Sequence, residues 1–441
     1  MIVNLDNSTF KGLLIENGFY TPILTAQKVL KWIRNKMKIH IKKLNLGKKE
    51  IFFLLLLLMP FIDTLSGYFH DIYPIGQVYR ILIFAYILYL TKCFSGIKFG
   101  YYIWLFCIFL AIQTMIGGLH VKENMQGTVK LFTPIFMIVY FKDSIRKGII
   151  TEKDIYRLFK LLGFLYPILI IIPGVLGISS GAYDATIGWK GFFYATNEIS
   201  FIACSLVMYS FYNLTLKTNI ENIILLLLNI TSIIVMGTKT GYATIIIFAF
   251  IYLLRPFFKK QKKYYIESIA LLLNAIIVII IGNKIFSNIV FSIVNRWHVQ
   301  RTMYSHSVLD FLTSHRLRRI QNGFDSFLHG KPWYPFCGWG FGGELTGLAN
   351  IEMDCFDLLF RTGIIGACFI LGFYYFYWKK YCSKCLESTL IIAWSFAISF
   401  GAGHVLFYGQ SGMMLALLCS FAMCIKQEKI FKKLSTRKVP F

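Results

Sequence analysis

The sequence predicts an all-α polytopic membrane protein with about twelve transmembrane helices and one large external loop. Of the 441 residues, 56% are hydrophobic and only 15% are charged. Soluble globular domains carry about 25% charged residues, so this composition excludes that class. The mean hydropathy of +0.61 and the spacing of the apolar runs point to the same fold.

Each predicted transmembrane segment is an apolar run close to the roughly 20 residues that a helix needs to cross a bilayer. The fourth and the last segments are the shortest. The predicted segments are 51–69, 75–94, 99–118, 127–142, 155–178, 192–215, 220–238, 241–258, 265–286, 357–378, 388–407 and 409–425.

The placement of the basic residues predicts the orientation. The net charge is +25, and most of the 46 Lys and Arg residues fall at the amino terminus, in alternate loops and at the carboxyl terminus. Because cytoplasmic loops carry the excess of Lys and Arg, both termini are predicted to be cytoplasmic. This pattern accounts for the charge without nucleic-acid binding, and it places the protein in the cell (plasma or inner) membrane.

Three regions follow from this topology. Residues 1–49 form a basic cytoplasmic segment, in which 26–44 is predicted to be an amphipathic helix on the anionic leaflet, with a regulatory partner site as the alternative. Residues 50–425 form one membrane domain, and 426–441 form a basic cytoplasmic tail. The loop 283–356 lies outside, and it is the longest polar stretch of the chain.

The large loop combines cations, a glycine run and carboxylates beside the membrane. Guanidinium groups bind diphosphate in bidentate fashion, and a nearby carboxylate can accept a proton from a hydroxyl. On a helix, Arg316 and Arg319 would share a face and could reach one anion together. The residues are Arg296, Arg301, Arg316, Arg318 and Arg319, then Gly338 to Gly343, then Glu352 and Asp354.

Charged residues inside or at the ends of transmembrane helices are functional candidates because they are costly to place there. Asp63, Arg80, Lys190, Glu198 and Lys239 are in such positions. The predicted topology puts Lys190, Lys239 and the arginines of the loop on the external side.

Each candidate also has a structural explanation. Lys239 could extend its ammonium to the interface, the arginines could bind lipid phosphates without specificity, and Glu352 and Asp354 could be solvated loop residues. The glycine run could be a flexible turn, and it lacks the strand and helix of a nucleotide-binding loop.

Cysteines and histidines predict no metal site. Cys382 and Cys385 form a CxxC without a second pair, and four loop histidines lack metal-ligand spacing. Cys337 and Cys355 both lie in the external loop, where a disulfide could form. The histidines are His298, His306, His315 and His329.

Several motifs resemble the O-antigen ligase and polymerase superfamily, in which a Gly-x-Gly stretch ends the large external loop and a helix running into Gly-Ile-Ile-Gly follows. The resemblance spans roughly 50–425 and rests on the order of the motifs. The matching segments are Gly338 to Gly342, Glu352 to Gly366, Lys190 to Phe193 with Asn197 and Glu198, Thr238 to Gly241, and Thr313 to Arg316.

Two departures from the ligases accompany the resemblance. Ligases carry a histidine eleven positions before the first glycine of Gly-Ile-Ile-Gly, where this chain has Glu352. They also carry arginine where this chain has Lys239, which keeps the charge and loses the bidentate fork. The first difference favours the repeat-unit polymerases of capsule or O-antigen, which have acidic residues in this segment.

The resemblance implies an architecture like that of the GT-C ligases and polymerases, and an inverting glycosyltransferase that needs neither metal nor cofactor. Donor and acceptor would be undecaprenyl-diphosphate-linked oligosaccharides, and membrane lipids and a chain-length regulator would be further partners. In this hypothesis Lys239 and Arg316, with Arg296 or Arg319, neutralise the leaving diphosphate. Glu352 acts as base, and Asp354 is the alternative base.

The same resemblance implies that Lys190, Asn197 and Glu198 belong to the substrate-binding set. Two other functions stay open. A ligase would pass finished polymer to a wall or lipid acceptor. A transporter of lipid-linked oligosaccharide would show inverted repeats and broken helices, and the sequence shows no such repeat.

Overall fold

The computed structural model describes residues 47–69, 75–116, 120–182, 188–259, 287–303, 316–342 and 351–435, with the single residues Ile269, Leu273 and Thr313. The chain divides into two units, Met1–Phe52 and Phe53–Phe441. The described residues of the first unit are 47–52, and a helix begins among them at Lys48. The predicted amphipathic segment 26–44, the predicted span 265–286 apart from Ile269 and Leu273, and residues 314 and 315 of the motif Thr313 to Arg316 lie outside the described residues.

Helices make up nearly all of the described chain. No strand ladder occurs in these residues, which contain one isolated antiparallel bridge between Gly181 and Trp189. In chain order the helices are α1 Lys48–Tyr68, α2 Ile75–Ser95, α3 Ile97–Ile116, α4 Val121–Arg146, α5 Glu152–Val175, α6 Thr196–Leu216, α7 Ile220–Met236, α8 Lys239–Lys259, α9 Ser287–Met303, α10 Arg316–His329, α11 Tyr334–Cys337, α12 Asp354–Tyr381, α13 Leu386–Ala402 and α14 Gly409–Ser435.

Seven of the described helices are long and apolar enough to cross a membrane, and the protein is a multi-pass membrane protein. Helices α7, α8 and α13 are apolar over 17 residues or fewer, and α4 is not among the seven. Helix α4 coincides with a predicted span, but it carries charged residues at both ends. The all-α membrane fold is therefore confirmed, and the count of twelve spans stays a prediction.

Three helices form the centre of the second unit. Almost every residue of α6 and of the apolar part of α14 is buried, as is the part of α4 from Leu131 to Ile145. Helix α14 packs against both α4 and α6. A helix that is apolar on all sides is expected to be surrounded by other helices, and these three satisfy that expectation.

Local sequence signals explain where several helices begin and end. Thr151 and Asp154 form a capping box at the start of α5, with Thr151 N donating to Asp154 Oδ2 over 2.9 Å. Asn219 caps α7, which ends at Gly237 in the left-handed conformation. These signals place a tight turn between α7 and α8.

The glycine run from Gly338 to Gly342 is packed closely against a kink in α12. Gly363 inside α12 has φ +67°, and a Cβ there would lie 2.2 Å from the Phe336 carbonyl. Trp339 N donates to Phe360 O over 2.9 Å. The described part of the run is therefore ordered and in backbone contact with α12. Glycine is required there because the two backbones approach each other closely.

Cys337 and Cys355 are both free thiols, so the disulfide that the sequence allows is not formed.

Candidate active site

A cavity of about 500 Å³ lies where several helix ends meet. Its walls come from the starts of α6, α8 and α10, the middle of α9, the end of α13, and residues just before α12 and α14. This volume is within the usual range of small-molecule sites. Five of the predicted site residues line it: Asn197, Lys239, Arg296, Arg316 and Glu352.

The turn between α7 and α8 positions Lys239. Gly237 N donates to Ile233 O over 3.0 Å, and the glycine has φ +68° with no room for a Cβ beside Ile293. Ser200 Oγ on α6 donates to Thr238 Oγ1 over 2.7 Å. Lys239 therefore begins α8 on a turn that is tied to the neighbouring helix.

Three cations share the cavity. Burial, followed by the charges of Arg296 and Arg316, lowers the pKa of Lys239 to about 8. Burial and nearby positive charges both disfavour the charged form of a lysine. The cavity thus concentrates positive charge, and a bound anion would relieve the repulsion.

Helix orientation adds to this positive potential. Helices α6 and α8 both begin at the cavity, where the positive end of the helix dipole lies. Ala195 occupies the N-cap position of α6 and makes no side-chain cap. Helix starts of this kind favour anions because their first N–H groups point outward.

Glu352 is held by two arginines. Arg316 Nη2 lies 3.3 Å from Glu352 Oε2, and Arg319 Nη1 lies 3.2 Å from Oε1. The sequence predicted that these two arginines could reach one anion together. In the structure the anion that both of them contact is Glu352. Contact with His404 and the two guanidinium charges hold the pKa of Glu352 at about 2 against the effect of burial.

His404 is a site residue that the sequence analysis missed. Its ring lines the cavity, and Nε2 lies 3.9 Å from Glu352 Oε2. The sequence placed His404 inside the predicted span 388–407, whereas α13 ends at Ala402 and the chain then turns. The available signal was a titratable residue directly after Gly401-Ala402-Gly403 inside an apolar segment.

Asp354 lies outside the cavity lining. Its Oδ2 accepts hydrogen bonds from Ser399 Oγ at 2.6 Å, Val405 N at 2.8 Å and Leu406 N at 2.9 Å. The side chain is almost fully buried. Asp354 thus ties the start of α12 to the loop that carries His404.

Three other predicted residues also lie outside the lining. Lys190 Nζ donates to Tyr194 O over 2.8 Å, and burial lowers the pKa of this lysine. Arg319 reaches Glu352 from a half-exposed position. Glu198 is buried and interacts electrostatically with Asp63 and Arg80, which are 3.2 Å apart.

These features define a polytopic membrane protein with a cationic cavity at one end of its helices. Residues 47–309, more than half of the chain, match the family described as O-antigen ligase like membrane protein. The chain therefore belongs to this family, and the superfamily predicted from the motifs is confirmed. The match includes Lys239 and Arg296 and ends before Arg316 and Glu352. No curated protein matches the chain.

Membership in this family indicates a membrane-associated polysaccharide ligase or polymerase. Membership implies a glycosyl-transfer-like activity on lipid-linked polysaccharide at the membrane.

Proposed function

We propose that this protein is a polysaccharide polymerase that joins undecaprenyl-diphosphate-linked oligosaccharide repeat units at the external face of the membrane, in the synthesis of capsule or O-antigen. The observation that carries the proposal is the convergence of Lys239, Arg296 and Arg316 on one cavity. A diphosphate is the anion that three cations and two helix starts would bind most strongly.

The cations would act on the leaving group. As the glycosidic bond to the diphosphate breaks, negative charge grows on the bridging oxygen, and fixed cations stabilise that charge in the transition state. Lys239 and the two guanidinium groups are already in place, so little reorganisation accompanies the reaction. In this proposal they supply the charge stabilisation for an inverting transfer that uses no metal ion.

Asn197, Thr196 and Thr240 line the same cavity. Amide and hydroxyl groups can donate to phosphate oxygens or to sugar hydroxyls. We assign Asn197 to binding of the donor at its diphosphate or first sugar. Lys190 and Glu198 would contribute indirectly, Lys190 by holding the loop before α6 and Glu198 through its buried charge cluster.

The role of Glu352 follows from its partners. A carboxylate with a pKa of about 2 is a weak base near neutral pH, because efficient proton transfer needs a pKa closer to the working pH. The geometry therefore favours Glu352 as the group that orients Arg316, Arg319 and His404. Asp354, whose Oδ2 accepts three hydrogen bonds from α13 and the loop after it, is assigned to anchoring.

Purified protein supplied with defined lipid-linked repeat units tests the proposal. A ladder of products that differ by one repeat unit is expected. Transfer of preformed polymer to a separate acceptor without a ladder would identify a ligase. Movement of lipid-linked oligosaccharide across a vesicle bilayer with no new glycosidic bond would identify a transporter.

A further inference from the structure

A second cavity of about 190 Å³ adjoins the cationic one and shares His404 and Tyr408 with it. Its volume is below the roughly 300 Å³ at which sites for drug-sized ligands begin. It therefore suits a small group such as a single sugar ring. The proposed diphosphate site does not account for this cavity.

One wall is a stripe along the start of α4. Glu123, Gln126, Gly127 and Lys130 follow the spacing of one helix face, and all four line the cavity. Glu123, Gln126 and Lys130 are polar, and they precede the fully buried part of α4. Placing polar side chains at the end of a buried helix costs free energy. A bound ligand would explain why they are there.

The rest of the lining includes two charged residues of α12 and two phenylalanines. Asp357 and Arg361 are one turn apart, and Arg361 Cζ lies 5.6 Å from the Phe407 ring centre and 6.0 Å from that of Phe341. With Glu123 and Lys130, the lining holds two carboxylates and two cationic side chains, beside His404. Such a balance does not favour a polyanion, and it offers donors and acceptors to a ligand rich in hydroxyl groups.

The wall is held rigidly. Phe341 N donates to Asn124 Oδ1 over 2.8 Å, and a Cβ at Gly127 would lie 2.2 Å from the Phe341 ring. Gly340 N donates to Arg361 O over 3.0 Å. The glycine run and α4 therefore set the shape of the cavity before any ligand binds.

His404 forms part of the partition between the two cavities. Its side chain is 12% exposed, and across the described ranges neither ring nitrogen has a hydrogen-bond partner. Its φ of +63° is unusual for a residue other than glycine. Strained residues of this kind concentrate at functional sites.

We propose that the second cavity binds the acceptor sugar and that His404 takes the proton from the hydroxyl that is glycosylated. This inference rests on the proposed function. The hydroxyl oxygen forms a bond to the anomeric carbon of the donor, and the bond from that carbon to the diphosphate oxygen breaks. The electron pair leaves with the diphosphate, and the proton passes to a ring nitrogen of His404.

Glu352 would assist as a positioning residue. Its carboxylate lies 3.9 Å from His404 Nε2, close enough to stabilise the imidazolium formed by proton transfer. The same carboxylate contacts Arg316 in the first cavity. Glu352 thus connects the proposed base with the proposed diphosphate site.

The role of His404 is tested with His404→Gly, because glycine adopts a positive φ without strain and leaves space for added imidazole. Turnover should fall by about 10² to 10⁴ and recover in part with imidazole, while undecaprenyl diphosphate still binds. Retained turnover, or loss of undecaprenyl diphosphate binding, would overturn the assignment.

The acceptor site is tested with Glu123→Gln. The probe is the free repeat-unit oligosaccharide released from the lipid-linked pool by mild acid, which can accept but not donate. Its KM should rise about tenfold, as expected for loss of one charge-assisted hydrogen bond, with the donor KM unchanged. Lys122→Gln, at an exposed neighbour outside the cavity, is the matched control.

Different results would overturn the proposed function and the proposed acceptor site. A wild-type protein that forms no glycosidic bond and binds no undecaprenyl diphosphate would overturn the proposed function. A wild-type protein that polymerises, combined with an unchanged acceptor KM in Glu123→Gln, would overturn only the acceptor site.

Discussion

At the scale of single residues, the cavity is organised by one carboxylate and the cations around it. Glu352 has a φ of +61° and contacts Arg316, Arg319 and His404. By resemblance, ligases carry a histidine at the position of Glu352. In this chain an imidazole from another loop lies beside that position.

We predict that Arg316→Ala lowers polymer formation by roughly two orders of magnitude, since one charge interaction in the transition state contributes about 3 kcal/mol. The measurement is the initial rate of ladder formation by purified protein. Arg318→Ala is the control, because Arg318 is exposed on the same helix and does not line the cavity. Equal rates in the two variants would contradict this prediction and leave Arg316 with a structural role only.

Lys239 should make donor binding depend on pH. Its pKa of about 8 means that the ammonium loses its proton as the pH rises through 8, and only the charged form attracts diphosphate. Affinity for undecaprenyl diphosphate should therefore fall about tenfold between pH 7 and pH 9. Lys239→Arg stays charged and should bind equally at both values. The same fall in both proteins would contradict the prediction.

At the scale of elements, loops and helix starts position the chemistry. Glu352 precedes α12, Lys239 begins α8, and His404 lies between α13 and α14. Gly403 has φ +67°, and a Cβ there would lie 2.1 Å from Glu352 O. The loop after α13 and the segment before α12 are therefore in direct backbone contact.

Asp354→Ala should destabilise the fold as well as lower turnover. The substitution leaves the buried N–H groups of Val405 and Leu406 unsatisfied, at a cost of about 1–3 kcal/mol each. Thermal unfolding in detergent should show a lower Tm than for Asp325→Ala, whose side chain is largely exposed. An Asp354→Asn variant with wild-type Tm and no turnover would instead support Asp354 as the base.

At the scale of the whole molecule, the site lies at one end of the helices. Helices α6, α8, α12 and α14 begin at this end, and α7 and α13 finish there. This alternation agrees with a polytopic chain in which successive helices run in opposite directions. The proposed function requires this end to face outward.

Topology reporters test that orientation. A reporter fused at Asp325, on α10 beside the cavity, should be external, and reporters at Lys260, Lys380 and Lys433 should be cytoplasmic. The reason is the concentration of Lys and Arg in the predicted cytoplasmic segments. A cytoplasmic signal at Asp325 would place the cationic cavity on the wrong side for the proposed reaction.

Hydrophobicity and charge placement are properties of the sequence, and they determined the membrane class, most helix positions and the predicted orientation. They also indicated Lys239, Arg296 and Arg316, because a charge beside a membrane is costly wherever the fold places it. Motif order determined the superfamily.

Only the tertiary structure decided which carboxylates and histidines face the cavity. Glu352 and Asp354 are two residues apart, yet one meets two arginines and the other is buried under the loop after α13. His404 lies in an apolar stretch of sequence, and its place beside Glu352 depends on a turn that brings distant segments together. Local composition does not encode such contacts, since they arise from the packing of helices far apart in the chain.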